Sequence, residues 1–440
     1  MEEWGPLEAA VAGIWPKVAD QLSEPELSRF EQELLPPLRL YDDARRAAGN
    51  FASADATEPS EAVDSAARAV AAVFRERPPL GEWLTAEFDR LSGEPERFGP
   101  ADPPPFWPTY LRSLQIPVMY ATDRASKVAG AAPARYGTER GQLAYGQATV
   151  SVPDDHRVGA VDTPRWWRLR FRPDPGKDMV LGSATAMTAD TFADGVRGQL
   201  DQCADRQALV FVHGYNVSFA DAAVHAAQLA YDLNFTGAVL LYSWPSKGSL
   251  LDYPADGEAA RRAVPYFQEF LRHLLTRTGV DEVHVIAHSM GNRVLTDGLT
   301  GLDTTALPEG SGWLGHVVFA APDVDGDVFR QSLPRILAQA RHATLYVSGR
   351  DRALAVSRSL ADYPRAGQAG DTVIVAAGLD TVDVTELGAD LLGHSYVGRH
   401  RNVLADLHGL LRHGHPPSER YGLTRMSHAD GEYWSFQPQK

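Results

Sequence analysis

At 440 residues, with 44% hydrophobic and 9% aromatic residues, the chain is long enough for more than one unit and too apolar to be a disordered protein. A formal net charge of −15 argues against non-specific nucleic-acid binding, which rests on clustered cations, and disfavours anionic membranes. The single cysteine, Cys203, excludes an intrachain disulfide and a thiolate zinc cluster; the acidic start and the lack of an apolar run of about 18 residues give the expectation of a cytoplasmic protein with no membrane span.

Apolar residues recur every three or four positions over 6–22, 24–48 and 61–77, which predicts a small helical N-terminal domain over residues 1–100. No chemical motif lies in it, so contact with a protein partner, regulation, partial cover of the active site and an inert appendage are its candidate roles. Gly99-Pro100-Ala101-Asp102-Pro103-Pro104-Pro105 marks the boundary, with a Pro-rich linker over 101–115.

From Ile116 the period becomes that of strands, over 116–122, 148–152, 166–171 and 179–187, and consecutive strands without helices imply antiparallel pairing. Residues 136–146, Y-G-T-E-R-G-Q-L-A-Y-G, read as a glycine-punctuated loop, and His156 as a loop residue. From Thr191 strands alternate with helices, the pattern of a parallel, doubly wound sheet. The strands are expected at 208–213, 238–244, 282–288, 317–321 and 344–348, with 373–376 or 382–385 as the last. Helices are expected at 218–234, started by Ser218 and Asp221, at 258–277 and at 402–411. The core domain is set at 116–412. The tail, 413–440, packs on it with Tyr433-Trp434-Ser435-Phe436 as an edge strand, and His413 and His415 lack a third ligand for a metal.

The chemistry is expected at 282–295, E-V-H-V-I-A-H-S-M-G-N-R-V-L, where a β-branched strand runs into a helix through Ala287-His288-Ser289-Met290-Gly291. Small residues two before and two after Ser289 are what a nucleophile elbow needs, because strand and helix backbones nearly touch there. A second apolar strand ends in His213-Gly214-Tyr215-Asn216. The backbone N–H groups of Met290 and Tyr215 are therefore the expected oxyanion donors. His213, Gly214, Asn216 and Trp244 are cleft candidates, Trp244 as an apolar wall. His288 is expected to be structural.

A serine hydroxyl needs a base and an orienting acid, in chain order Ser, acid, His. Asp351 follows the second strand after the elbow at a glycine turn and is the expected acid; Asp323, after the first strand, is the alternative, its other role being to cap the helix over 327–340. His394, on the loop opened by Gly393 before the closing helix, is the expected base, with His400 as the second candidate. Gly310-Ser311-Gly312-Trp313-Leu314-Gly315 precedes a strand instead of following one, so no dinucleotide site is expected, and no cofactor or metal is implied.

These residues resemble the α/β-hydrolase superfamily, and more closely its bacterial branch catalogued as domain of unknown function nine hundred. The resemblance runs from Ile116 through Tyr136-Gly137, Arg140-Gly141, V-F-V-H-G-Y-N, L-Y-S-W-P-S at 241–246, I-A-H-S-M-G-N-R-V, A-A-P-D-V-D and G-H-S-Y at 393–396. It implies an α/β-hydrolase fold, a mostly parallel doubly wound sheet with antiparallel opening strands, and a serine hydrolase. The expected activity is cleavage of a small-molecule ester. Amide hydrolysis or acyl transfer by the same triad, or a non-catalytic binding module, is the alternative. Only 322–326 separates the first strand after the elbow from its helix, which leaves no room for an inserted lid there.

Overall fold

The computed structural model describes residues 115–127, 135–152, 179–247, 253–305, 307, 313–349, 363–387 and 401–436, together with Glu33. The expected N-terminal helices other than Glu33, the linker up to Leu114, the strand at 166–171, His156, Gly310 to Gly312, Asp351, His394 and His400 lie outside these residues.

Among the described residues eleven strands form one sheet. In chain order they are β1 (Gln115–Ser126), β2 (Tyr136–Ser151), β3 (Val180–Met187), β4 (Gln207–Val212), β5 (Ala238–Ser243), β6 (Glu282–His288), β7 (Leu314–Ala320), β8 (Ala340–Val347), β9 (Leu379–Asp383), β10 (Leu423–His428) and β11 (Gly431–Phe436). Their spatial order is β10-β11-β9-β8-β7-β6-β4-β5-β1-β2-β3. The strands from β11 across to β1 run parallel, whereas β2, β3 and β10 are antiparallel to their neighbours. This is the expected doubly wound sheet with antiparallel opening strands.

The connecting helices are α1 (Ala189–Leu200), α2 (Phe219–Asp232), α3 (Tyr253–Arg277), α4 (Gly291–Thr300), α5 (Gly326–Leu337) and α6 (Arg401–His413). Because strand side chains alternate, one apolar strand feeds two cores. In β4, Val210 and Val212 join α1, α3, α4 and α5, whereas Leu209 and Phe211 join α2 and α6. Ser218 caps α2, accepting the Asp221 N–H as the sequence implied. After β5 the chain crosses to β6 on the far side of β4, so the strand order reverses there. The C-terminal ends of β4 and β6 flank that switch point, where open α/β sheets bind their ligands. Among the described residues no helix is long and apolar enough to cross a membrane.

Two local expectations differ from the structure, and one that was left open is decided by it. Residues 136–146 are no loop but the first part of the 16-residue β2, paired with β1. Its glycines are close approaches: a Cβ on Gly146 would lie 2.2 Å from the Tyr120 hydroxyl, and one on Gly141 would lie 2.7 Å from the Arg124 carbonyl oxygen. The last parallel strand of the α/β repeat is β9, overlapping 382–385, while Val373 and Ile374 are buried without joining the sheet and Ile374 accepts the Thr381 hydroxyl. The aromatic tail strand, β11, is not the edge; it pairs with β9 and is covered by β10.

Candidate active site

Ser289 sits between the end of β6 and the start of α4 with φ of +49°, a left-handed conformation that residues with a Cβ seldom adopt. Such strain persists only where the surroundings over-determine it. The Ser289 N–H donates to Ala320 O at 3.0 Å, and its carbonyl accepts the Asn292 N–H at 3.1 Å, the Asn292 side chain at 3.0 Å and the Asp323 N–H at 3.2 Å. Among the described residues nothing accepts the Met290 N–H. Ala287 and His288 are buried, as expected of residues supporting the turn.

Gly291 shows why the position two after the serine must be small. A Cβ there would lie 2.3 Å from His213 O and 2.8 Å from Val212 O, both backbone atoms that cannot rotate away. The start of α4 thus abuts the end of β4, bringing the elbow against the loop over 213–217. Gly291→Ala is expected to lower stability by about 1–3 kcal/mol, the usual range for overpacking, measured as a shift of the denaturant midpoint. An unchanged midpoint would refute this contact.

His213 lies beneath that loop. Burial, reinforced by the nearby Arg124 charge, holds its pKa well below the ordinary value, so the ring is neutral. Its Nδ1 lies 2.7 Å from the Gly214 carbonyl, which can only accept, so Nδ1 carries the proton and Nε2 accepts from the Ser243 hydroxyl at 3.1 Å. Trp244 is fully buried, stacked on His213 with centroids 5.2 Å apart, and donates its indole N–H to His213 O at 2.8 Å. Both side chains brace the loop. Asn216 has φ of +59° and a buried carboxamide with no hydrogen bond on either polar atom among the described residues.

Asp256, in the first turn of α3, secures the loop from the other side. It accepts from the Ser246 hydroxyl at 2.7 Å, the Lys247 N–H at 2.8 Å and the Asn216 N–H at 3.5 Å. Burial pushes its carboxyl up to about 6 against the opposing pull of those donors and of Arg124. Asp123, paired with Arg262 at 3.2 Å, is likewise raised by burial to about 6. Folded values above the unfolded value of about 3.9 mean that the native state holds protons the unfolded chain has released. Their stabilising contribution is complete below about pH 4 and lost as pH rises through about 6. Wild type is therefore expected to lose about 2–3 kcal/mol relative to Asp256→Asn between pH 4 and pH 7, followed by urea denaturation; parallel pH curves would contradict it.

Asp323 follows β7 and touches the elbow through its N–H, but its carboxylate is engaged elsewhere. Oδ2 accepts the Tyr253 hydroxyl at 2.6 Å and Arg293 Nη2 at 3.0 Å, and Oδ1 faces Arg365 Nε at 3.3 Å. Arg293 also donates to Asp323 O at 2.7 Å, and Tyr253 meets the Tyr215 ring edge-on at 5.6 Å. Burial works against the Arg293 charge, but Asp323 and Tyr253 more than offset it and the net shift is upward. The helix-capping role once open to Asp323 belongs to Asp325, which accepts the N–H groups of Asp327 and Val328. Only residues 321–325 separate β7 from α5, as expected for a chain with no lid at this point.

The structure thus brings Ser289, Met290, His213, Gly214, Tyr215, Asn216, Trp244 and Asp323 to one end of the sheet; Asp351 and His394 lie outside the described residues. Sequence reasoning missed Arg124, Asp256, Tyr253, Arg293 and Arg365. The one available signal was the charged pair Asp123-Arg124 directly after an apolar strand, where charge is out of place unless it is partnered. Among the described residues no group of three or more His, Cys, Asp or Glu is placed to hold a metal ion.

An uncharacterized protein from Nostoc sp. (strain PCC 7120) is 29% identical over 109 residues, covering 19% of this chain and 28% of the relative. The chain therefore spans little more than a quarter of the length of that relative. The sequence pattern of the family described as "Alpha/beta hydrolase of unknown function (DUF900)" matches residues 188–411, which carry the elbow, the 213–217 loop and every parallel strand except β1 and β11. With just over half of its length inside that pattern, the chain belongs to this α/β-hydrolase family.

Proposed function

We propose that the protein is a serine hydrolase, a carboxylesterase acting on small acyl esters. The observation that carries this reading is the conformation of Ser289: a non-glycine residue held at φ of +49° between the end of β6 and α4, against the 213–217 loop. Ser289 Oγ attacks the acyl carbon while His394 takes its proton and Asp351 orients His394. The oxyanion is stabilised by the N–H groups of Met290 and Tyr215. His394 then returns the proton to the departing alkoxide, deprotonates a water that attacks the acyl-enzyme, and Ser289 leaves with its proton restored. Asn216, whose carboxamide has no hydrogen-bond partner among the described residues, is the cleft residue suited to a polar group of the substrate. Amide hydrolysis and acyl transfer differ only in leaving group or acceptor.

A fluorophosphonate probe tests the reading. Wild type is expected to label and Ser289→Ala and His394→Ala to lose the label. One observation favours a rival, a hydrolase-fold binding module: Ser289 is only 2% exposed. Folded wild type that takes no label would establish that rival and reject the esterase.

A further inference from the structure

Arg124 is a buried cation that the chemistry above does not use. Arg124 comes two residues after Thr122, the last position at which β1 pairs with β5, and the β1–β2 register shifts on both sides of it. Such a bulge re-aims a side chain. The guanidinium is 2% exposed, and among the described residues no carboxylate lies within ion-pair distance of it. Its N–H groups go instead to neutral acceptors. Nε donates to Ser243 Oγ at 2.9 Å, Nη1 to Gly137 O at 3.1 Å and Ser246 O at 3.2 Å, and Nη2 to Val217 O at 2.7 Å, with His213 Nε2 at 3.4 Å. His213 and Val217 are the two ends of the loop that contains Tyr215.

We infer that Arg124 is the positioning residue of the oxyanion loop, its guanidinium fixing residues 213–217 at both ends so that the Tyr215 N–H is held toward the acyl oxygen. This rests on the reading of Ser289 as nucleophile. Taking a guanidinium out of water is costly, and a fold that needed only to join β1 to β5 already has the strand ladder and the Thr122 hydroxyl on Ser243 O at 2.6 Å. What those bonds do not provide is a hold on Val217 and His213. A planar fork with five donors reaches all these acceptors at once; a lysine ammonium, a point charge with three donors, does not. Asp256 and Asp123 offset the buried charge at longer range, while burial lowers the Arg124 pKa to about 10, which leaves it cationic at neutral pH. Ser243 completes the link, accepting from Arg124 and donating to His213.

The test measures p-nitrophenyl acetate turnover and fluorophosphonate labelling rate for wild type, Arg124→Lys, Ser243→Ala, the double variant, and Arg124→Gly with and without added guanidinium. Displacement of reacting groups by about 1 Å costs about 10²-fold, so Arg124→Lys is expected to lower kcat about 100-fold with KM changed less than about threefold, in parallel with the labelling rate. Ser243→Ala is expected to lose about tenfold, the double variant no more than Arg124→Lys, and guanidinium to restore part of the Arg124→Gly rate. Active wild type with unchanged kcat in Arg124→Lys, or a loss confined to KM, overturns the inference and leaves the hydrolase reading standing. Wild type inert to both probes overturns both. Where Arg124→Lys shows no cooperative thermal transition, Ser243→Ala decides: a kcat loss near tenfold supports the inference, and wild-type kcat overturns it.

Discussion

Ester turnover is expected to fall about 10⁶-fold in Ser289→Ala, by about as much in His394→Ala, and no further in the double variant. A nucleophile and its base act as one unit, so removing either removes the whole route through the acyl-enzyme, and the losses do not multiply. What survives is the slower attack of water on an ester held against the oxyanion donors, which still exceeds the uncatalysed rate by about 10³–10⁴. Ser289→Gly separates chemistry from folding. Glycine adopts φ of +49° without the Cβ clash that serine tolerates, so this variant is expected to lose the same turnover in a fold at least as resistant to denaturant. A Ser289→Ala enzyme retaining a tenth of the activity, or losses that multiply in the double variant, would show that another group is the nucleophile.

The elbow was legible in the sequence because its causes are local. A β-branched run, a small residue on either side of Ser289 and the onset of helical spacing all lie within 282–295, and each reports a backbone constraint acting within a few residues. The parallel strands were legible for the same reason, being buried on both faces and hence uninterruptedly apolar. Residues 136–146 misled because glycine reads as punctuation, whereas Gly141 and Gly146 are small to admit Arg124 and Tyr120 from the neighbouring strand. That information resides in β1, not in β2. The scaffold of the 213–217 loop was illegible on the same principle. Arg124, Ser243 and Asp256 meet only when the bulged end of β1, the end of β5 with the residues after it, and the start of α3 converge at one end of the sheet, and no spacing in the chain encodes that meeting.

The two candidate acids are expected to fail in different ways. Asp351→Asn should lower turnover about 10⁴-fold, the loss typical of a triad whose base is left in the wrong tautomer, with the substrate KM little changed. Asp323→Asn should instead act on stability. Its carboxylate lies between Arg293 and Arg365 with 3% of the side chain exposed, so the amide removes the negative charge that both guanidiniums face and turns an NH₂ toward one of them. Breaking a buried pair from one side costs about 3–5 kcal/mol; because the Arg293 side chain keeps 22% exposure, water screens part of this and about 3 kcal/mol is the expected loss. The folded fraction should turn over ester within about tenfold of wild type, since the Ser289 carbonyl is met by the Asp323 backbone N–H, which the substitution retains. Denaturation midpoints and kcat measured on the same preparations distinguish the two. The reverse pattern, a 10⁴-fold loss in Asp323→Asn at unchanged stability beside a fully active Asp351→Asn, would move the triad acid to the end of β7. The Tyr253, Arg293 and Arg365 contacts would then be the means by which that carboxylate is aimed at its histidine.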